Sequence, residues 1–259
     1  MRIFDSHAHY DDPRFESEYE GGREAVLPYV FSQGVEYIVN VGATLDSSEK
    51  CIELAGKYPQ IYASVGIHPN DCGRRGTLDE EMEMLERLIS RPKVAAIGET
   101  GMDFHYDEPS EEIQRKWFIA HAELARRTGL PLIVHDREAH GACMDVVRGF
   151  PDVRGVFHSY SGSAETADEL VRRGWMISFS GVITFKNAAR MARVVESVPL
   201  DRIMVETDCP YLAPHPLRGS LNNSANLVYT IERLAELKGI SSDEAAEITF
   251  DNARRFYGI

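Results

Sequence analysis

The 259-residue chain has no apolar run approaching the roughly 20 residues that cross a bilayer, and its first residues lack the basic-then-apolar layout of a secretion signal. No membrane partner is expected, and a cytoplasmic location is. Cysteine is sparse. Cys51, Cys72, Cys143 and Cys209 stand far apart with no Cys-x-x-Cys, which argues against a disulfide framework or zinc knuckle and for isolated buried thiols. Positive charge is short, with 28 Lys and Arg against 41 Asp and Glu, a formal net charge of -13. Broad adhesion to duplex nucleic acid needs a basic footprint that this balance does not supply. A nuclease survives that argument, because divalent ions in a cleft reverse the local field. Long linkers and low-complexity tracts are also missing. The length suits one large α/β domain or two ordinary ones, and a single domain over residues 1–259 is expected.

What is present is a repeating alternation. Short apolar runs rich in β-branched residues predict strands over 3–7, 37–42, 61–66, 94–98, 130–134, 153–157, 175–179 and 203–207. Between them, apolar spacing of three and four predicts helices over 23–33, 46–58, 78–90, 110–129, 141–150, 163–173 and 188–197, with two more at 226–238 and 243–256. Near-continuous apolar strands flanked by amphipathic helices indicate a parallel sheet covered by helices. Eight such units in one chain of this length predict an α/β protein with a (β/α)8 TIM barrel.

The polar residues that end the strands carry the chemistry. Asp5-Ser6-His7-Ala8-His9 closes the first strand, and histidines one residue apart project to the same side of an extended chain. The fourth strand delivers Glu99, the fifth His135, the sixth His158 and the eighth Asp208. In a closed barrel all these ends share one rim, so residues 200 positions apart converge. Four imidazoles and two carboxylates suit a borderline-soft divalent ion such as zinc, manganese or nickel. Six ligands exceed what one tetrahedral ion needs, so two ions are expected, with Glu99 best placed to bridge them. Such a pair activates water for hydrolysis, and Asp208 can accept the water's proton. A phosphoryl centre and an amide carbonyl both fit that chemistry.

These stretches, together with Val65-Gly66-Ile67-His68-Pro69, Gly98-Glu99-Thr100-Gly101-Met102-Asp103, His135-Asp136-Arg137-Glu138-Ala139, His158-Ser159-Tyr160-Ser161-Gly162-Ser163 and Glu206-Thr207-Asp208-Cys209-Pro210-Tyr211, resemble the TatD family of metal-dependent deoxyribonucleases. The likeness runs from residue 2 to about residue 257. It implies a barrel of the amidohydrolase superfamily that cleaves phosphodiester bonds of DNA, in some members from the 3′ end. It further implies that His7, His9, Glu99 and Asp208 hold one ion, and Glu99, His135 and His158 the other. A DNA substrate, single-stranded or at 3′ ends, and a monomer follow from the same resemblance. Family members are described as magnesium-dependent, whereas the ligand types favour a softer ion.

Around the ligands, His68, Arg137 and Glu206 are the candidate substrate-binding residues. His68 ends the third strand, Arg137 can hold a phosphate through its planar fork, and Glu206 is expected to point the same way as Asp208 two residues on. Asp103 and His105 are expected in a loop lining the cleft, Phe179 and Phe185 in the core or beneath a base, and His121 in the core. One segment departs from the family pattern. Where an Arg-Gly-Lys-Arg-Asn-Glu-Pro-like run is usual, this chain has Arg218-Gly219-Ser220-Leu221-Asn222-Asn223-Ser224. Two basic residues are gone from beside the expected phosphate channel. An amidohydrolase acting on a small amide, ester or lactone is the alternative that the same ligands would serve. A catalytically silent metal-binding module is the third.

Overall fold

The computed structural model describes residues 1–259, in which eight strands form one sheet in the order β1-β2-β3-β4-β5-β6-β7-β8. They are β1 (Ile3–Ala8), β2 (Val35–Val41), β3 (Ile61–Val65), β4 (Val94–Asp103), β5 (Leu132–Arg137), β6 (Gly155–Phe157), β7 (Met176–Phe179) and β8 (Ile203–Val205). The helices are α1 (Arg14–Ser17), α2 (Gly22–Ser32), α3 (Leu45–Lys57), α4 (Leu78–Ile89), α5 (Glu111–Thr128), α6 (His140–Arg148), α7 (Ala164–Arg172), α8 (Ala189–Ser197), α9 (Leu227–Lys238) and α10 (Ser242–Tyr257). The pairs β1–β2, β3–β4, β4–β5, β5–β6 and β7–β8 are parallel. Beyond β8 the chain meets β1: Asp208 N donates to His7 O at 2.9 Å and His9 N to Cys209 O at 2.7 Å. Chain-ordered parallel strands whose last member returns to the first make the (β/α)8 barrel that the alternation predicts.

The chain divides into two compact units, Met1–Asn40 with His158–Ile259, and Val41–Phe157. In the first, Phe4 of β1 sits among Tyr37, Phe250 and Tyr257, its ring stacked on Tyr257 at 5.9 Å between centroids. Burying a ring of this size contributes about 2–3 kcal/mol. The Tyr257 hydroxyl donates to Ser6 O at 2.9 Å, which fastens α10 across the back of β1.

In the second unit, α3 and α4 each open on a threonine capping box, Thr44 with Ser47 and Thr77 with Glu80, which satisfies amides the first helical turn leaves unpaired. The longest helix, α5, ends at Gly129 in the left-handed conformation (φ 73°) that a side chain would resist. Its apolar face is buried as its spacing predicts, and the Trp117 indole donates to the buried Glu81 at 2.9 Å. His121 lies in this core with no exposure. Its Nδ1 donates to Trp117 O at 2.7 Å and its Nε2 accepts from Ile67 N at 3.1 Å, so a core imidazole holds the chain just before His68.

The sequence places the end of the fourth strand too early. β4 continues through Asp103, because Thr100, Gly101, Met102 and Asp103 stay in register with Val134, His135, Asp136 and Arg137 of a correspondingly longer β5. Asp103 is therefore a buried strand residue and not a loop residue. Strands β6 and β8 are shorter than expected, at three residues each. A helical turn, α1, follows Pro13, where only a break is expected from sequence.

Burial pushes the His121 imidazole down to about 4, against a smaller opposing pull from the Trp117 carbonyl. The unfolded chain then takes up a proton that the folded one refuses. The stability tied to a neutral His121 is complete above about pH 6.5 and is lost as pH falls toward 4, a change of about 3 kcal/mol. Urea unfolding followed between pH 4 and 7 is expected to show this slope in the wild type, and H121Q to remove that component. At Gly101 (φ 135°) an added Cβ would meet His135 O at 2.0 Å. G101A is expected to lower stability by about 3 kcal/mol or more, read as a drop in thermal midpoint.

Candidate metal centre

Two sets of ligand atoms close on points at the ends of the strands, one in each unit. In the first unit, β1 presents His7 and His9 with their Nε2 atoms 3.0 Å apart. Asp208 Oδ1 lies 3.6 Å from the first and 3.3 Å from the second. A tetrahedron with ligand bonds of about 2.1 Å has edges of about 3.4 Å, so three atoms at these separations fit one divalent ion. Two imidazoles aiming the same nitrogen at one carboxylate oxygen is an arrangement that a cation explains and apolar packing does not. Burial alone would raise the Asp208 carboxyl, but the His9 hydrogen bond and the surrounding His7 and His158 imidazoles outweigh it and hold the group below the usual carboxylate range.

His158 stacks on His7, with ring centroids 4.0 Å apart and planes 15° from parallel. Its Nδ1 lies 3.1 Å from Glu206 Oε1, an oxygen that also accepts from Ser159 N at 2.7 Å. Glu206 has no exposure at all. The expectation that Glu206 and Asp208 point the same way fails, because β8 ends at Val205 and Asp208 adopts a left-handed backbone (φ 55°) that breaks the alternation. Glu206 thus backs His158 from the interior, while Asp208 faces His7 and His9. A carboxylate behind an imidazole fixes its tautomer and leaves the far nitrogen to bind an ion.

In the second unit, His68, Glu99 and His135 bring one ligand atom each together. His135 Nδ1 lies 2.8 Å from Glu99 Oε1, and its Nε2 lies 3.2 Å from Asp103 Oδ2. This is the same device: Asp103 holds one nitrogen of the ring, and the other is turned to the ligand carboxylate. Burial pushes the Asp103 carboxyl upward, yet the hydrogen bonds from His135, the His105 amide and Asn70 together bring it down to about 2. His68 differs. Its Nδ1 accepts from Asn70 N at 3.1 Å, so the neutral ring carries its proton on Nε2, 3.8 Å from Glu99 Oε1. In the neutral ring Nε2 is therefore a donor toward Glu99, at a position that also makes it the third ligand atom of this set.

Arg137, at the end of β5, is exposed, with its guanidinium 5.7 Å from the Tyr106 ring centroid. The departing segment at 218–224 is exposed in its first half and interior in its second. Asn222, Asn223 and Ser224 are buried: the Asn222 amide donates to Thr207 O at 3.1 Å and Tyr211 O at 2.8 Å, and Ser224 Oγ donates to Asp5 Oδ2 at 2.7 Å. Arg218, Gly219 and Ser220 are exposed and Leu221 half-buried, so the two positions where the family is basic lie toward the surface. The changed residues that follow them brace the site from behind and do not line a channel. Asp103 is the functional residue whose role goes unread from sequence. The two-residue spacing of Glu99, Gly101 and Asp103 was the available signal, since alternate strand residues share a face.

Comparison with known proteins agrees with this geometry. The family model described as TatD related DNase matches residues 4–258. The uncharacterized metal-dependent hydrolase YabD of Bacillus subtilis is 36% identical, with 99% of each chain covered. The uncharacterized metal-dependent hydrolase TatD of Mycobacterium tuberculosis is also 36% identical, over 99% of this chain and 98% of that one. The crystal structure of YjjV, a TatD homologue from Escherichia coli, superimposes with a TM-score of 0.90 at 29% identity, covering 100% of this chain and 98% of that one. With the family pattern matched from end to end and two histidine–carboxylate clusters able to hold divalent ions, the chain belongs to the TatD family, as a metal-dependent hydrolase of the amidohydrolase superfamily.

Proposed function

We propose that the protein is a metal-dependent phosphodiesterase that hydrolyses DNA, on single strands or at 3′ ends, with residues 1–259 acting as one catalytic domain. The observation that carries this reading is the convergence of His7 Nε2, His9 Nε2 and Asp208 Oδ1 in the first unit, together with the second unit's set in which His135 Nδ1 faces Glu99 Oε1. The family model's description as a DNase supports the choice of phosphoryl over carbonyl substrate. By the family resemblance, His7, His9, Glu99 and Asp208 would hold one ion, and Glu99, His135 and His158 the other. Two divalent ions bound there supply Lewis acidity and lower the pKa of a water molecule.

The chain's own groups do the rest. Asp208 directs Oδ1 toward the imidazoles and takes the proton of the attacking water on Oδ2. His68 donates its Nε2 proton to a phosphoryl oxygen, with its tautomer held by the Asn70 amide. Arg137 grips a phosphate with its planar guanidinium. Glu206 and Asp103 sit behind His158 and His135 and keep those rings from rotating.

The test is cleavage of single-stranded DNA by protein reconstituted with manganese, zinc, nickel or magnesium. Metal-dependent cleavage by the wild type is expected, with H135A and D208N at background. A wild type that cuts no DNA with any of these ions would overturn the nuclease reading, and full activity in either variant would overturn the site assignment. D103N is expected to keep the fold and lose about 10–100-fold in metal affinity, measured by competition with a chelating dye.

A further inference from the structure

We propose that a groove in the second unit, lined by Asn70, Arg74, Tyr106 and Glu108, is a nucleobase subsite that prefers bases bearing an exocyclic amino group. The proposal rests on the phosphodiesterase reading and places the base next to the scissile phosphate. The groove has a volume of about 490 Å³, within the range of small-molecule sites. It adjoins the second ligand cluster through shared hydrogen bonds. Asn70 Nδ2 donates to Asp103 Oδ2 at 3.2 Å, and that same oxygen lies 3.2 Å from His135 Nε2.

Tyr106 is 53% exposed, so a face of its ring is open to a ligand. The ring is held at the tip of a loop that is firmly built. Gln114 is buried at the loop's base: Oε1 accepts from Asp103 N at 2.7 Å, while Nε2 donates to Asp103 O at 2.9 Å and Pro109 O at 2.7 Å. A ring presented this way offers a stacking face without first having to be ordered, and base-on-aromatic stacking is the common device for single strands. Arg137 lies over the same ring, and Arg74 is turned along the groove by its bond to Glu108 O at 3.2 Å.

Glu108 decides between a phosphate track and a base site. Glu108 lines the groove together with Arg74, so the lining residues carry charges of both signs and do not suit a run of phosphates. A carboxylate accepts only, and the base edges that donate to it are the amino groups of adenine, cytosine and guanine. On thymine the one ring N–H lies between two carbonyl oxygens, which the second carboxylate oxygen would repel. Arg137 is then left to hold the phosphate that joins the bound base to its neighbour.

The experiment measures kcat and KM of the metal-reconstituted wild type, Y106A and E108Q on short single-stranded oligonucleotides. These differ only in the nucleotide beside the scissile bond: adenine, cytosine, guanine, thymine or an abasic site. Both substituted side chains are exposed, and thermal midpoints within error of the wild type check that the variants fold. The expected result is a wild-type KM about ten-fold lower for amino-bearing bases than for thymine, a KM raised about ten-fold for every base in Y106A, and a preference abolished in E108Q. Equal KM for adenine, thymine and abasic substrates in a wild type that cuts DNA would overturn the subsite alone. A Y106A enzyme with unchanged KM would do the same. A wild type that cuts none of the oligonucleotides would overturn the phosphodiesterase reading on which the subsite rests.

Discussion

A carboxylate with no exposure ties the two ends of the chain-ordered sheet together. Asp5 accepts from Thr207 N at 3.0 Å, Thr207 Oγ1 at 2.5 Å, Ser224 Oγ at 2.7 Å and the His7 amide at 3.3 Å. Every one of those donors sits within two residues of a ligand or belongs to the segment that braces it. The position of His7 relative to Asp208 is thus fixed through Asp5 before any ion arrives. Burial pushes the Asp5 carboxyl up to about 6 even with four donors pulling it down, which shows how far this group has been taken from water for the sake of geometry.

Much of the site is legible in the sequence, and the reason is local. Strand-forming runs of β-branched residues end abruptly in a histidine or an acid, as Leu132-Ile133-Val134 does before His135, and five of the eight strands have such an ending. What resists reading is whatever depends on a neighbour. Thr100-Gly101-Met102-Asp103 has no strand signature of its own, and Gly101 lowers its propensity further. It extends β4 only because β5 pairs with it residue by residue. Glu206 and Asp208 look like a same-face pair until the left-handed turn at Asp208 separates them. His68 reads as a substrate-facing residue, but only the Asn70 amide shows which nitrogen carries the proton of its neutral ring.

Segment 218–224 shows the same limit from the other side. Read as letters, it has lost positive charge and an acid. In the fold, the retained Asn222 and the changed Ser224 are uncharged donors that reach Thr207, Tyr211 and Asp5. The support of Asp208 is rebuilt in neutral hydrogen bonds, and the outer surface alone records the loss at Ser220 and Leu221.

Asp103 and Glu206 carry a consequence for the resting protein. Each is a buried acid behind a ligand histidine, and neither has an arginine or lysine against it; their hydrogen-bonded partners are imidazoles, an asparagine and backbone amides. The positive charge that balances them comes either from a proton on the imidazole or from an ion beyond it. Metal uptake is therefore also proton release, and the ion serves as a counter-charge of the folded interior.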